Sequence, residues 1–137
     1  MIIIDGTNAI LGRLAAYTAK EALRGEHVAI VNCEKIIITG NKAFTRENFL
    51  AKRRKVGSTQ RGPKVSRTNE KIVKRVIRGM LPNYRVGRGA IAFKKIKCYV
   101  GVPAQFQEAK KIIAGREHKK SRNKFMLVEE LAHTKFE

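Results

Sequence analysis

Between Lys52 and Lys97 the chain carries sixteen Lys or Arg residues and a single acid, Glu70. That segment alone accounts for +15 of the formal charge of +19. The other 91 residues hold fourteen bases against ten acids, close to an ordinary balance. Unpaired cations at this density do not go into a core. The flanks must therefore supply a globular body that holds the cationic third outward. Concentrated Lys and Arg are the electrostatic signature of a polyanionic partner.

A chain of 137 residues suits one domain, spanning 1–137, with room for a real core. The hydrophobic fraction of 43% argues against disorder throughout. No apolar run approaches the roughly 18 residues that cross a bilayer, and the chain does not read as a membrane protein. Met1-Ile2-Ile3-Ile4-Asp5 lacks a basic n-region and reads as a first strand rather than a signal peptide. Cys33 and Cys98 lie far apart, and His27, His118 and His133 are scattered. No metal-ligand spacing results, and the cysteines read as two small buried thiols in a reducing cytoplasm.

Ile2-Ile3-Ile4 is wholly apolar and β-branched, which suits a strand covered on both faces. Asp5 to Asn8 supplies turn and cap residues. Leu11, Leu14, Ala15, Thr18, Ala19, Ala22 and Leu23 then fall on one side of a helix that Gly25 can end. His27–Asn32 is a second buried strand, and Ile36–Thr39 a third, ending at Gly40-Asn41. Strand–helix–strand order implies a βαβ unit and a parallel sheet. Gly6 and Gly12 do not make G-x-G-x-x-G, and no P-loop spacing occurs, so no nucleotide cofactor is expected. Gly6 reads as a turn residue, and Gly12 as a place where the helix packs closely.

A helix beginning near Lys42 carries Phe44, Phe49 and Leu50 into Lys52-Arg53-Arg54-Lys55. Val56 to Thr68 has almost nothing apolar and reads as either a mobile loop or an arm ordered by its partner. Thr68-Asn69 can cap the next helix, whose Ile72, Val73, Val76, Ile77 and Met80 make a docking stripe. Lys71, Lys74, Arg75 and Arg78 decorate its other side. A solvated helix face usually alternates sign, and this one has Glu70 only. Asn83 to Gly89 is a second basic loop, where Gly87 and Gly89 beside arginines would let backbone approach phosphates. Tyr84 there could stack on a base or pack on its own domain. Ala90–Ile96 reads as a short helix with Lys94 and Lys95 outward, and Lys97–Gly101 as a fourth strand. Gln105–Ala114 reads as a helical turn. Gly115–Lys124 reads as a second, smaller contact segment or a disordered insert, and Leu127–Phe136 as a helix with Glu129 and Glu130 near its start.

No convergent set of titratable groups is assembled by spacing, so catalysis is not expected. Asp5 and Glu34 lie near strand ends, where open α/β sheets place ligands, and Glu34 reads as a local cap or pair.

Several blocks in order carry a family resemblance. They are Leu11-Gly12-Arg13-Leu14-Ala15, Val31-Asn32-Cys33-Glu34-Lys35-Ile36, Thr39-Gly40-Asn41-Lys42, Arg61-Gly62-Pro63, Arg78-Gly79-Met80-Leu81-Pro82, Gly87 with Gly89-Ala90, and Tyr99 with Gly101 and Pro103. From Ile3 to about Pro103 the chain resembles the universal large-subunit ribosomal protein thirteen family, of archaeal or eukaryotic type. The tail from Gln105 resembles it only loosely, and Cys33 replaces an expected alanine. The resemblance implies a three-layer α/β/α fold with a four-stranded parallel sheet, here with a basic loop–helix extension. It also implies a structural place in the large subunit, against ribosomal RNA and neighbouring ribosomal proteins, in the cytoplasm. From the residues themselves, Arg53, Arg54, Lys55, Arg61, Lys64, Arg67, Lys74, Arg78, Arg85, Arg88, Lys94 and Lys95 are the candidate RNA contacts, forming one continuous phosphate-binding surface. Arginine's planar fork suits phosphate and base recognition. Arg53 and Arg54 are expected to be exposed bases that add little stability. Two rivals remain: a free-standing RNA-binding regulator, and a nucleotide-dependent enzyme using Asp5 and Asn32.

Overall fold

The alternation of buried side chains explains the sheet. A computed structural model of the protein describes residues 1–114 and 124–135. In β1 (Ile2–Asp5) and β2 (Val28–Val31), Ile4, Val28 and Ile30 point to one apolar cluster, and Ile3, Ala29 and Val31 to another. Successive residues face opposite sides of a strand, so a run with no polar gap must be covered twice. The two strands pair in parallel with Ile2 opposite Val28. Between them runs α1 (Leu11–Leu23), which buries Leu11, Leu14, Ala15, Thr18, Ala19 and Ala22 as its spacing predicts. Gly25 follows at φ +102, the left-handed conformation expected just past a helix end.

Next come β3 (Ile37–Thr39), α2 (Lys42–Arg54), α3 (Asn69–Met80), α4 (Gly87–Lys94) and β4 (Ile96–Cys98). The chain continues through a 3-10 turn at Ala104–Phe106 to β5 (Ile112–Ile113), β6 (Phe125–Leu127) and α5 (Val128–Ala132). The main sheet is four-stranded and parallel throughout, in the order β4-β2-β1-β5. Helices α1, α3, α4 and α5 contribute to the larger cluster on one face. On the other, Phe106 with Tyr99, Val102 and Ala109 covers the second, so the third layer is thin.

Membership of the sheet differs from expectation at one place. Ile36–Thr39 is not its third strand. It pairs antiparallel with β6, Ile37 opposite Leu127 and Thr39 opposite Phe125. The vacant edge is filled by β5, within a stretch read as a helical turn. The tail helix likewise begins later than read, because Phe125–Leu127 is drawn into this ladder. The basic segment 115–123 and the terminal 136–137 lie outside the described residues.

The close packing read at Gly12 occurs instead at Gly6, which keeps its turn role. Gly12 is exposed, with nothing within 4 Å of the position of an added Cβ. Gly6 is buried, and a Cβ there would lie 2.8 Å from Ile36 Cγ1 and 3.0 Å from the Val31 carbonyl oxygen. Gly6 lets the turn after β1 nest against the β2–β3 connection. Gly6→Ala should therefore lower stability by about 1–3 kcal/mol through overpacking, whereas Gly12→Ala should be neutral or stabilising; urea unfolding of the two variants measures the contrast.

Candidate nucleic-acid interface

The interface begins where α2 ends. Its last turn holds Lys52, Arg53 and Arg54, cations that suit the negative end of a helix dipole. Arg54 and Lys55 are exposed. Arg53 is half-buried, with its guanidinium 6.0 Å from the centre of the Phe49 ring. It is thus part of the packing between α2 and the arm, not the simple surface base expected.

The arm, residues 56–68, closes on itself. The Gly62 amide donates to the Val56 carbonyl at 2.6 Å, and a Cβ at Gly62 would overlap the Lys55–Val56 backbone. Gly57, Thr59 and Gln60 take left-handed conformations around this knot. Arg61, Lys64 and Arg67 are exposed along it. Arg53, Lys55, Lys64 and Lys71 line one groove of about 520 Å³ between the arm and the start of α3, and no acid lines it.

Thr68 takes the position before α3, but its side chain does not cap the helix. It is engaged by Ser66, whose hydroxyl lies 3.2 Å from Thr68 Oγ1 and also accepts from the Thr68 amide. Ile72, Val73 and Ile77 are buried as expected, whereas Met80 is 44% exposed and leaves the docking stripe. Lys71, Lys74, Arg75 and Arg78 lie three and four residues apart, so they share one flank of the helix.

That flank meets a small aromatic stack. Tyr84 and Phe93 pack edge to face at 5.9 Å. Lys74 Nζ sits 4.8 Å from the Phe93 ring centre, and Arg78 Cζ 4.7 Å and Arg85 Cζ 5.5 Å from that of Tyr84. Arg85 Nε also donates to the Tyr84 hydroxyl at 3.2 Å. This hydrogen bond, then the charges of Arg85, Arg78 and Arg75, hold the phenol below its ordinary pKa. Tyr84 is therefore occupied by arginines, and of its two sequence readings the one confined to its own domain fits. Cation–π contact fixes three cations side by side without neutralising any of them. Phe93, the second ring, was not singled out in the sequence; only its place one turn after Gly89 on α4 hints at it.

Arg88 is exposed in the first turn of α4, which contains no acid. Gly89 does not lie open to a phosphate. It is buried against the Pro82 and Asn83 carbonyls, where a Cβ would sit 2.5 Å from each. Lys94 is exposed. Lys95 is not outward: its ammonium donates to the Gly25 carbonyl at 2.7 Å, closing the C-terminal end of α1. The structure thus gathers Lys74, Arg78 and Arg85 at one stack and Arg53, Lys55 and Lys64 at one groove, and α3 joins the two. It does not gather Lys95 with them, and Arg54 lines a separate groove beside Glu129 and Glu130.

The acids near the strand ends are satisfied internally. Asp5 Oδ1 accepts from the Thr7 amide (3.0 Å), the Thr7 hydroxyl (2.8 Å) and Asn32 Nδ2 (3.0 Å). The Glu34 carboxylate accepts from the Gly101 amide at 3.1 Å, a partner far along the chain rather than the local cap or pair expected of it. Cys33 and Cys98 are buried free thiols in mutual contact; hydrogen bonding with Cys98, followed by burial, pushes the Cys33 thiol far up, away from thiolate chemistry. Among the described residues no group of three or more His, Cys, Asp or Glu side chains could hold a metal, and no helix is long and apolar enough to cross a membrane.

A parallel-sheet α/β domain whose one acid-poor limb displays cations on aromatic faces defines the class. The particular family follows from comparison with known proteins. The ribosomal protein L13 family matches residues 1–105. The chain is 49% identical over 106 residues to large ribosomal subunit protein uL13 of Methanococcus maripaludis, covering 75% of this chain and 77% of that one. It is 42% identical to the uL13 of Methanocaldococcus jannaschii over 96% of this chain and 95% of the other. Against the uL13 of Caenorhabditis elegans it is 41% identical over 96% of this chain and 67% of the other. The chain belongs to the ribosomal protein L13 family, of archaeal and eukaryotic type.

The Asp5 cluster gives a test of its structural role. Burial opposes ionisation of Asp5, but the bonds from Asn32 and Thr7, with the Lys111 charge, outweigh it and hold its carboxyl below the usual carboxylate range. A depressed folded-state pKa stabilises the fold above the unfolded value, and the contribution is lost as pH falls through the folded one. Between about pH 5 and pH 2, wild type should lose more stability than Asp5→Asn, as read by urea unfolding at each pH.

Proposed function

We propose that the protein is a structural constituent of the large ribosomal subunit, that it grips large-subunit ribosomal RNA, and that it supports subunit assembly without catalysing a reaction. The observation that carries this reading is the flank of α3. Its opposite side is buried in the core, so Lys71, Lys74, Arg75 and Arg78 are presented outward on a rigid element. The arm cations Arg61, Lys64 and Arg67 extend the surface at one end, and Arg85 and Arg88 at the other. Folded RNA offers phosphates and a shallow minor groove, and it is recognised mainly by shape and backbone. A fixed row of cations suits that target. Neighbouring ribosomal proteins would meet the mixed-charge groove between α2 and α5, lined by Arg46, Glu47, Arg54, Glu129 and Glu130. The protein would act in the cytoplasm, as part of the ribosome. No particular observation favours a free-standing regulator.

If about eight phosphates are neutralised, the logarithm of the association constant should fall against log salt with a slope on the order of −6 to −7. A slope shallower than about −2 would count against the platform. Reversing Arg61, Lys64 and Arg67 to Glu should flatten the slope and weaken binding to deproteinised large-subunit RNA. Thermal melting should barely move, because these side chains are exposed. Arg53→Glu should lower the melting temperature as well, since that side chain packs on Phe49.

A further inference from the structure

The platform leaves one feature unused. On the other side of the arm, α2 and α3 enclose an apolar groove of about 400 Å³. One wall is the stripe Phe44, Asn48 and Lys52, spaced four residues apart along α2. The other is Ile72, Arg75 and Val76 of α3. The groove is thus graded: an aromatic ring at one end of the α2 wall, an amide in the middle, an ammonium at the other end, and a guanidinium across from them. Phe44 is 64% exposed, although the neighbouring Phe49 is buried. A single exposed Phe needs no explanation. An exposed Phe on the lip of a groove with two cations is a different matter.

We propose that this groove holds one unstacked nucleobase of the bound RNA. The base would lie against the Phe44 ring, its edge within reach of the Asn48 carboxamide, and its flanking phosphates against Lys52 and Arg75. Single-stranded loops and bulges are read in this way, by aromatic stacking and edge hydrogen bonds. The volume falls in the range of small-ligand pockets, and the mix of apolar wall with a few polar groups is theirs too. Charge decides between a base and an apolar side chain of another protein. No acid lines this groove, whereas the groove on the other side of α2 contains Glu47, Glu129 and Glu130. Two grooves flank one helix; the acid-free one complements an anionic strand, and the mixed one a protein.

This inference rests on the RNA-binding reading above, and its test separates the two. The probe is deproteinised large-subunit ribosomal RNA from Methanocaldococcus jannaschii, with the full-length protein. The chain has no tryptophan, so Phe44→Trp introduces a single reporter at the lip. Its emission should be quenched on adding RNA, saturating with binding. Phe44→Ala should bind roughly five- to a hundredfold more weakly, the span expected for loss of one stacked base. Its salt slope should stay that of wild type, because no phosphate contact is removed. Phe44→Tyr should restore affinity and Phe44→Leu should not, which separates stacking from a merely apolar or folding role. Wild-type affinity in both Phe44→Ala and Phe44→Leu, or an unquenched Phe44→Trp, overturns the base site and leaves the cationic platform standing. If the Arg61, Lys64 and Arg67 reversal also binds as wild type, the RNA-binding reading falls with it. A photo-crosslinker at position 44 that captures protein instead of RNA in assembled subunits likewise overturns the proposal.

Discussion

Like charges repel, and the segment from Lys52 to Lys97 must keep sixteen of them close together with one acid among them. At about 4 Å, two unit charges near a protein surface interact by roughly 4 kcal/mol before salt screening. The fold answers in three ways that do not neutralise the cations. Cations are spread along α3 and a looped arm, so most are separated by solvent that screens within about 8–10 Å. The Lys52–Arg54 turn lies where the α2 dipole is negative. Lys74, Arg78 and Arg85 lie over aromatic rings. An acid in the place of Tyr84 would hold the same arginines more tightly, yet it would also compete with phosphate. A ring face attracts a cation weakly enough to leave its hydrogen-bonding edge available.

None of this works without an anchor that is indifferent to charge. The anchor is the apolar side of α3, where Ile72, Val73 and Ile77 sit in the same core as Leu14, Ile30 and Ile96. Burying side chains of this size stabilises by about 1.5–3 kcal/mol each, well above what one exposed ion pair supplies. The helix can therefore carry four cations outward and remain fixed. Lys95 shows the converse economy: by donating to the Gly25 carbonyl it gives up a place on the platform and finishes α1.

How much of this was legible in the sequence depends on the range of the interactions. β1, β2, α1 and α3 were legible because each announces itself through its own periodicity of apolar residues. The exchange of β3 for β5 was not. Ile37–Thr39 and Ile112–Ile113 are both short apolar runs, and which one joins the sheet is settled by pairing with Phe125–Leu127, far along the chain. Which of Gly6 and Gly12 is packed closely is not written in the sequence; the approach of Ile36 to Gly6 decides it. The density of cations was plain, but their division was not. Lys95 and Arg53 read as surface charges until the ends of α1 and the Phe49 ring are placed beside them. The Tyr84–Phe93 stack required α4 to be docked on α3, which no local spacing encodes.

The tail beyond the region matched by the family has a role that follows from the same geometry. Helix α2 buries only Phe49 of its own residues, so its packing alone holds it weakly. Its direction sets where the arm leaves the body. Glu130 of α5 meets Lys42 Nζ at 3.0 Å and Arg46 at 3.8 Å, and β6 hydrogen-bonds β3 just before α2 begins. The ion pairs are exposed enough to add at most about 1 kcal/mol, so their value is directional rather than energetic. They seat α5 against the first turns of α2, whose last turn carries Lys52, Arg53 and Arg54. These pairs balance charge at the end of α2 away from the arm, while Lys52, Arg53 and Arg54 gather at the arm end, and that asymmetry is what presents the arm to a polyanion.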